Sequence, residues 1–196
     1  GYKNVLYMFS GVGCGIMING ELYRGSLGYA GEISVYNYKE QDLFSCPSGN
    51  PCFVKRWDMD LGIVDELKSI LAKDKEKAEE FFRITQTRME SVDLKSIFSA
   101  SRAKNETATV VLESAAKRLG IKIAYLVNLL NPQVVIIGGG FEEAQEGFLN
   151  KVRSTVMDWA FREATAELKI VYSQLRENAV AMGAASLVLE RVFAQL

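Results

Sequence analysis

The stretch Asn4–Glu32 constrains the fold more than any other part of the chain, because it combines strand-length apolar runs with turn residues. Val5–Phe9 is an apolar run whose length suits a buried strand. Asn19-Gly20 tolerates positive φ at both central positions of a turn, as a type I′ hairpin requires. We therefore predict strands at Gly15–Asn19 and Glu21–Arg24, so that the chain begins with three consecutive strands.

The predicted turn between the first two strands has glycine at alternate positions, in the sequence Ser10-Gly11-Val12-Gly13-Cys14-Gly15. Without Cβ atoms the backbone can approach a ligand closely, and its N–H groups can bind phosphate. Alternating glycines also occur in tight turns that bind nothing, and this segment alone leaves both interpretations open. It is neither a P-loop, since no Gly-Lys-Ser/Thr follows, nor a dinucleotide fingerprint, since a strand follows instead of a helix.

The composition excludes several classes of function. The chain contains no histidine, which rules out Ser-His-Asp and Cys-His catalysis and histidine metal ligands within it. Its 196 residues, 48% of them hydrophobic, suit one domain or two small ones with a sizeable core. The net charge of −1 gives no reason to expect binding to nucleic acid or membrane. With no membrane span, no signal peptide and an odd number of cysteines, we expect a cytoplasmic protein.

Residues 36–89 are predicted to leave the sheet as a loop followed by helix. The loop is rich in turn residues around Cys46 and Cys52, and the helical pattern covers Trp57–Met89 with a break near Lys73-Asp74. Two cysteines at this spacing supply half of a structural zinc site, which needs four nitrogen or sulfur ligands. A reduced pair or a local disulfide is the simpler interpretation.

The second half of the chain alternates helices and strands. We predict a short helix at Asp93–Lys104 and then a long helix that Asn105 caps and Asn131-Pro132 ends. The β-branched run Gln133–Ile137 indicates a central strand buried on both faces. It leads into Gly138-Gly139-Gly140, at the place where an open α/β sheet presents its backbone to ligands.

The three glycines can also be interpreted as a tight turn from strand to helix that binds no ligand. Glu142 and Glu143 follow directly, and their charges would repel a phosphate. If a ligand binds at this turn, we therefore expect an uncharged adenine or ribose there rather than a phosphate chain.

The last third of the chain contributes a helix, a strand and a final helix. The first of these helices should bury a face that includes Phe148 and Trp159, and the strand is predicted at Leu168–Val171. Asn178 is the expected cap of the final helix, Ala179–Ala194. Because that helix is apolar nearly all round, we predict that it is buried.

Two segments together resemble the ROK family of bacterial sugar kinases and sugar-responsive repressors, namely SGVGCGIMINGELYRGSLGYAGEIS and LVNLLNPQVVIIGGGF. The resemblance covers nearly the whole chain. It implies an α/β fold over residues 1–196, the C-terminal lobe of an actin-like (ribonuclease H-like) ATPase. It also places an N-terminal lobe and any winged helix outside this chain.

The resemblance implies a set of nucleotide-binding residues, should that activity be retained. They match the second phosphate motif of the family and its glycines beside the adenosine: Ser10, Gly11, Gly13, Gly138, Gly139 and Gly140. Phe9 stands where the family has the first glycine of the phosphate motif, and it adds a bulky side chain.

The resemblance also implies a sugar site, which is reduced in this sequence. Glu32 matches a carboxylate that hydrogen-bonds sugar hydroxyls in relatives, but Val35 replaces a histidine that contacts sugar and commonly binds zinc. Of the cysteine-rich motif of the family, Cys46 and Cys52 remain, while Ser48 replaces the middle cysteine. We therefore expect weakened sugar recognition and no zinc.

The function that follows is regulatory. The kinases take their catalytic aspartate and the motif Asp-x-Gly-x-Thr from the other lobe, and without a base phosphoryl transfer has no starting point. We predict the sugar-sensing and oligomerisation domain of a ROK-type transcriptional regulator, without catalytic residues or cofactors. Its expected partners are a sugar and a second copy in a homodimer, with DNA bound only through a domain outside this chain.

Two alternatives stay open. The chain could be the same lobe of an ATP-dependent hexose kinase that lacks zinc, in which case ATP and magnesium would be its cofactors. It could also be a degenerate domain that binds neither ligand and only oligomerises.

Overall fold

A computed structural model describes residues 1–9, 13–33 and 62–193 of the chain. Five strands form one mixed sheet in the order β3-β2-β1-β4-β5. They are β1 (Val5–Phe9), β2 (Gly13–Ile18), β3 (Glu21–Leu22), β4 (Val134–Gly138) and β5 (Lys169–Tyr172). The first three strands pair antiparallel, and β4 lies parallel between β1 and β5. The sheet therefore has the predicted order of three consecutive strands followed by two separated ones.

The hairpin between β2 and β3 forms where the sequence predicts it. Asn19 and Gly20 have φ of 55° and 89°, which are the positive values that a type I′ turn needs. The side-chain oxygen of Asn4 accepts a hydrogen bond from the Asn19 N–H at 2.8 Å and ties the turn to the start of β1. β2 begins two residues earlier than predicted because Gly13 pairs with Phe9.

Seven α-helices occur in the described ranges. They are α1 (Ile63–Lys73), α2 (Lys75–Thr85), α3 (Leu94–Arg102), α4 (Glu106–Leu130), α5 (Gln145–Trp159), α6 (Arg162–Thr165) and α7 (Ala179–Phe193). The predicted break near Lys73-Asp74 is confirmed, because Asp74 caps α2 by accepting the Lys77 N–H at 3.1 Å. Asn105 caps α4 in the same way through the Ala108 N–H at 2.9 Å. The short helix α6 was not predicted.

The core lies between α4, α5 and one face of the sheet. Leu6, Met8, Val135 and Ile137 point their buried side chains toward these helices. α4 and α5 approach closely at Gly120, where a Cβ atom would lie 2.6 Å from the Cβ of Thr155. α4 is therefore a core helix, with fourteen buried residues.

Two burial predictions are wrong. Trp159 lies on the predicted stripe of α5, but the helix ends at this residue and 53% of it stays exposed. The final helix α7 is also not buried, since Val188 is 62% and Phe193 63% exposed. Its main packing contact is with the short 3-10 turn Arg176–Asn178 that precedes it. An apolar composition shows that a helix needs a partner, but it does not show that this chain supplies one.

None of the helices in the described ranges has the length and apolar character needed to cross a membrane.

Candidate functional site

The backbone brings the predicted site residues into one row at the carboxyl edge of β1 and β4. Phe9, the last residue of β1, pairs with Gly13 on one side and with Gly138 on the other. Gly13 in turn forms an isolated bridge to Glu32. Sheet pairing alone therefore places the predicted sugar-binding acid and predicted nucleotide-binding glycines side by side, although they are far apart in the sequence.

A groove of about 820 Å³ opens at this edge of the sheet. Phe9 forms part of one wall, and Gly139 and Gly140 form the turn that follows β4. Asn178 and Val180, at the beginning of α7, complete the lining on a third side. The groove lies where parallel strands end, which is the usual ligand position in an open α/β sheet.

The three glycines at the end of β4 differ in their roles. Gly139 and Gly140 have φ of 77° and 96°, so they shape a turn that other residues rarely adopt. Gly138 is buried instead, and a Cβ atom there would lie 2.1 Å from the Tyr7 hydroxyl oxygen. Gly138 is therefore required for packing between β1 and β4, while Gly139 and Gly140 face the groove.

The Glu142 side chain accepts a hydrogen bond from the backbone of the glycine turn. Its Oε2 accepts a hydrogen bond from the Gly140 N–H at 2.9 Å. Its Oε1 and the Tyr7 hydroxyl are buried near Gly138, and neither has a hydrogen-bond partner among the described residues. A carboxylate in this position competes with a bound anion both for the N–H and through its charge.

Two arginines also line the groove, so its charge is mixed. Arg102, the last residue of α3, donates from Nη1 to the backbone oxygen of Glu143 at 3.2 Å. Arg176 follows β5 and has a φ of 48°. Sequence analysis missed both. For Arg176 a signal existed, because it follows the carboxyl end of β5 as Gly139 follows β4. Arg102 ends α3, and no sequence pattern indicates that this end of α3 lies against the sheet.

The loop that carries Glu32 is fixed to β2 by its backbone. The Cys14 N–H donates to the Gly31 oxygen at 2.9 Å. A Cβ atom at Gly31, whose φ is 92°, would lie 1.8 Å from the Cys14 oxygen. The Glu32 side chain itself is exposed and can accept hydrogen bonds from a ligand.

Two ionisable groups are buried beneath the glycine-rich end of β2. Burial lowers the pKa of Lys122, on α4, to about 8. Burial raises the pKa of the Cys14 thiol to about 11, and the charge of Lys122 acts on it in the opposite direction. Cys14 is a free, buried cysteine with a thiol that stays protonated at neutral pH, which makes it a poor nucleophile.

Some predicted residues lie outside the described ranges. These are Ser10 and Gly11 of the phosphate motif, and Val35, Cys46, Ser48 and Cys52 of the expected zinc and sugar region. Within the described ranges, no group of three or more cysteine or acidic side chains is arranged to hold a metal ion. The absence of a zinc site therefore stays a prediction.

Comparison with curated proteins identifies both repressors and kinases as relatives. The xylose repressor of Caldicellulosiruptor bescii is 29% identical over 181 residues, which cover 91% of this chain and 44% of the repressor. The transcriptional dual regulator NagC of Escherichia coli K12 is 27% identical over 91% of this chain and 41% of that protein. A glucokinase of Thermotoga maritima is 32% identical over 53% of this chain and 32% of the kinase. The chain thus spans less than half the length of these relatives.

Solved structures share the fold. A ROK family glucokinase from Streptomyces griseus, crystallised with glucose and AMPPNP, matches with a TM-score of 0.76 and 24% identity over 95% of this chain and 61% of that one. A ROK family transcriptional regulator, a homologue of the Escherichia coli MLC protein, matches with a TM-score of 0.61 and 22% identity over 86% and 41%. The ROK family model itself matches residues 1–191. Family model, relatives and fold therefore agree that this chain belongs to the ROK family.

Proposed function

We propose that this chain is the sugar-sensing lobe of a ROK transcriptional regulator and that it has no kinase activity. The proposal depends on two side chains at the groove beside the glycine turn. Phe9 lines the groove where the phosphate motif of the family has a glycine, and Glu142 holds the Gly140 N–H. The first opposes the phosphate chain of ATP by bulk, and the second by charge.

The repressor relatives also support a regulatory function. Xylose repressors from three bacterial sources and NagC each match over 91% or more of this chain. Glucokinases match as well, so the family alone does not distinguish the two activities. We assign the regulatory function because of the side chains in the groove.

The proposed ligand is a neutral sugar that binds at Glu32, beside the start of β2. Glu32 is exposed next to Gly13, and an ionised carboxylate accepts strong hydrogen bonds from sugar hydroxyls. Since the names of the relatives include xylose and N-acetylglucosamine, these two sugars are the first candidates. A ligand can act as an inducer only if it binds one conformation of the protein more tightly than another.

Calorimetry tests the sugar proposal. D-xylose, N-acetylglucosamine and D-glucose are titrated into the protein, and we expect one of them to bind. Glu32→Gln should weaken that binding by roughly ten- to a hundredfold, because it removes a charge-assisted hydrogen bond. Glu21→Gln, an exposed acid on β3 of the same hairpin, is the matched control and should change nothing. Absence of binding by every sugar would leave an oligomerisation domain.

The second candidate function is the lobe of a sugar kinase, and the glucokinase relatives and the position of the groove favour it. An ATP-dependent phosphorylation assay with the same sugars separates the two. We expect no turnover and no measurable ATP binding by the wild-type protein. Phe9→Gly combined with Glu142→Ser should increase nucleotide affinity, whereas Glu163→Gln, at an exposed acid on α6 that does not line the groove, should not. Turnover by the wild-type protein would contradict the regulatory proposal.

We also propose that the protein acts as a homodimer and that the DNA contact lies in a domain outside this chain. Two copies would allow ligand binding to change the spacing of two DNA-binding domains. Sedimentation equilibrium tests this directly, and a monomer at every concentration up to about 100 μM would contradict it, since obligate dimers associate far more tightly than that.

A further inference from the structure

The loop of residues 24–32, which carries Glu32, is closed by its own backbone. The Ala30 N–H donates to the Arg24 oxygen at 3.0 Å. Gly25 packs beside Ala30, since a Cβ atom at Gly25 would lie 3.4 Å from the Ala30 Cβ. Together with the hydrogen bond to β2 described above, these contacts give the loop a defined path.

This loop exposes a large aromatic side chain. Tyr29 is 73% exposed, and no other tyrosine of the described ranges has a larger exposed fraction. A tyrosine has only two side-chain torsions, so on a loop with a defined path it offers a large contact surface at a small cost in conformational entropy. Binding residues often lie on loops that a rigid scaffold positions. Tyr29 therefore has the properties of a ligand contact.

Tyr29 lies beside the acid to which the proposed function assigns sugar binding. The Glu32 N–H donates to the Tyr29 oxygen at 3.4 Å, so the two residues are the first and last of one β-turn. The Cα atoms at the two ends of such a turn are less than about 7 Å apart. Both side chains are exposed, and this separation is short enough for one monosaccharide to contact both.

The two side chains match the two kinds of surface on a pyranose ring. Its hydroxyl groups, at the edge of the ring, donate hydrogen bonds that the Glu32 carboxylate can accept. Its axial C–H groups form apolar faces, and the negative face of an aromatic ring attracts such C–H groups while it buries apolar surface. An open-chain polyol has the same kind of hydroxyl groups but no ring face.

We infer that Tyr29 stacks on the ring face of the sugar and thereby selects a cyclic pyranose over the corresponding open-chain polyol. The inference rests on the proposed sugar site at Glu32 and adds its apolar half. Glu32 binds hydroxyl groups of either form, whereas Tyr29 contributes to affinity only when the ligand presents a flat C–H face. Selection for the ring therefore depends on Tyr29, and affinity for hydroxyl groups depends on Glu32.

Calorimetry with matched pairs of ligands tests the inference. D-xylose is compared with xylitol, D-glucose with sorbitol, and N-acetylglucosamine with N-acetylglucosaminitol. For the sugar that binds, we expect the wild-type protein to prefer the ring to the polyol by roughly tenfold, which is the size of one good aromatic contact. Tyr29→Ala should weaken binding of the ring by a similar factor and leave binding of the polyol unchanged.

Two further variants separate the aromatic ring from other properties of tyrosine. Tyr29→Phe keeps the ring and loses the hydroxyl, so it should bind the sugar within about twofold of the wild-type protein. Tyr23→Ala removes another tyrosine, 53% exposed and directly after β3, and is the matched control that should change nothing.

Proton NMR of the sugar provides a readout that affinity alone does not. A ring stacked on the pyranose shifts the signals of the sugar C–H protons upfield through its ring current. We expect this shift with the wild-type protein and with Tyr29→Phe, and its loss with Tyr29→Ala at ligand concentrations that saturate each protein. Circular dichroism checks that the variants are folded, as expected for substitutions of an exposed side chain.

Failure of this inference is distinguishable from failure of the proposed function. If no sugar binds to the wild-type protein, the proposed sugar site is wrong and the stacking contact falls with it. If a sugar binds and Glu32→Gln weakens it while Tyr29→Ala does not, the sugar site stands and the inference is overturned. Equal affinity of the wild-type protein for ring and polyol would also overturn it. So would equal losses for Tyr29→Ala and Tyr29→Phe, because the hydroxyl would then be the contact.

Discussion

The helices α4 and α7 are both strongly apolar, yet one is buried and the other is exposed. α4 buries fourteen of its residues and packs against α5, α1, α3 and α2. α7 has a similar content of valine, leucine and alanine, but Val188 and Phe193 remain more than 60% exposed. The difference shows that an apolar composition indicates how much surface a helix would bury. Whether that surface is buried depends on which other helices and strands pack against it.

The largest expected contrast comes from truncating one side chain in each helix. Ile123→Ala on α4 removes a side chain that is fully buried and should lower the free energy of unfolding by about 3 kcal/mol. Val188→Ala on α7 should change it by less than about 0.5 kcal/mol, because the side chain is already in water. Urea unfolding followed by circular dichroism measures both. Equal losses would show that α7 is packed on this body.

The second contrast adds a methyl group to each helix instead of truncating a side chain. Gly120→Ala places a Cβ 2.6 Å from the Cβ of Thr155, so α4 and α5 must separate, and we expect a loss of about 1–3 kcal/mol. Gly183→Ala in α7 meets no atom within 4 Å and should favour the helix by about 0.5–1 kcal/mol. Circular dichroism should show more helix for the second variant. A stabilising Gly120→Ala would contradict the tight packing described above.

A third, pH-dependent contrast follows from the buried lysine of α4. Lys122 is 4% exposed, and burial lowers its pKa from 10.5 to about 8, so above pH 8 the unfolded state binds more protons than the native state. Stability should therefore rise between pH 8 and 9, by up to about 1.4 kcal/mol. Above pH 9 this gain in stability is offset by Cys14. Burial raises the pKa of its thiol from 9.0 to about 11, so the thiol loses its proton in the unfolded state while the native state retains it.

Denaturant titrations at pH 7.5, 8.0, 8.5 and 9.0 check this dependence. Lys122→Met should abolish the rise, whereas Arg191→Gln on α7 should leave it unchanged. A wild-type stability that falls steadily across this range would mean that the lysine is not buried in solution.

The smallest contrast concerns a single ion pair. Arg118 on α4 donates to Glu66 on α1 at 2.8 Å, and both side chains are only about a quarter to a third exposed. Breaking it with Glu66→Gln should cost about 0.5–1 kcal/mol, somewhat more than a fully exposed pair. The pair between Lys75 and Glu79, whose side chains are 91% and 72% exposed, serves as the control and should contribute nothing measurable. A double-mutant cycle isolates each term.

Local patterns were sufficient for most of the fold. The hairpin at Asn19, the helix break near Asp74 and the cap at Asn105 each depend on neighbours in sequence, and each was predicted correctly. The exposure of α7 and of Trp159 was not predicted, since burial depends on which elements meet in space.

The candidate site was predicted only in part, for the same physical reason. Glycines that permit a close backbone approach can be recognised in a sequence, so Gly139 and Gly140 were found. The hydrogen bond from the Gly140 N–H to Glu142 depends on a side-chain rotamer. The position of Arg102 depends on how α3 packs against the end of the sheet. Neither feature leaves a periodic signal in the sequence.

In the loop that carries Glu32, the contact at Gly31 separates the path of the backbone from the chemistry of the exposed side chain. Because the backbone of Cys14 leaves no room for a Cβ at this position, the path of the loop is set by main-chain atoms. The neighbouring residue 32 carries its side chain into open solvent and bears none of that constraint. Exchanging the acid at position 32 would therefore change the charge and hydrogen-bonding groups on this surface without shifting the path of the loop itself.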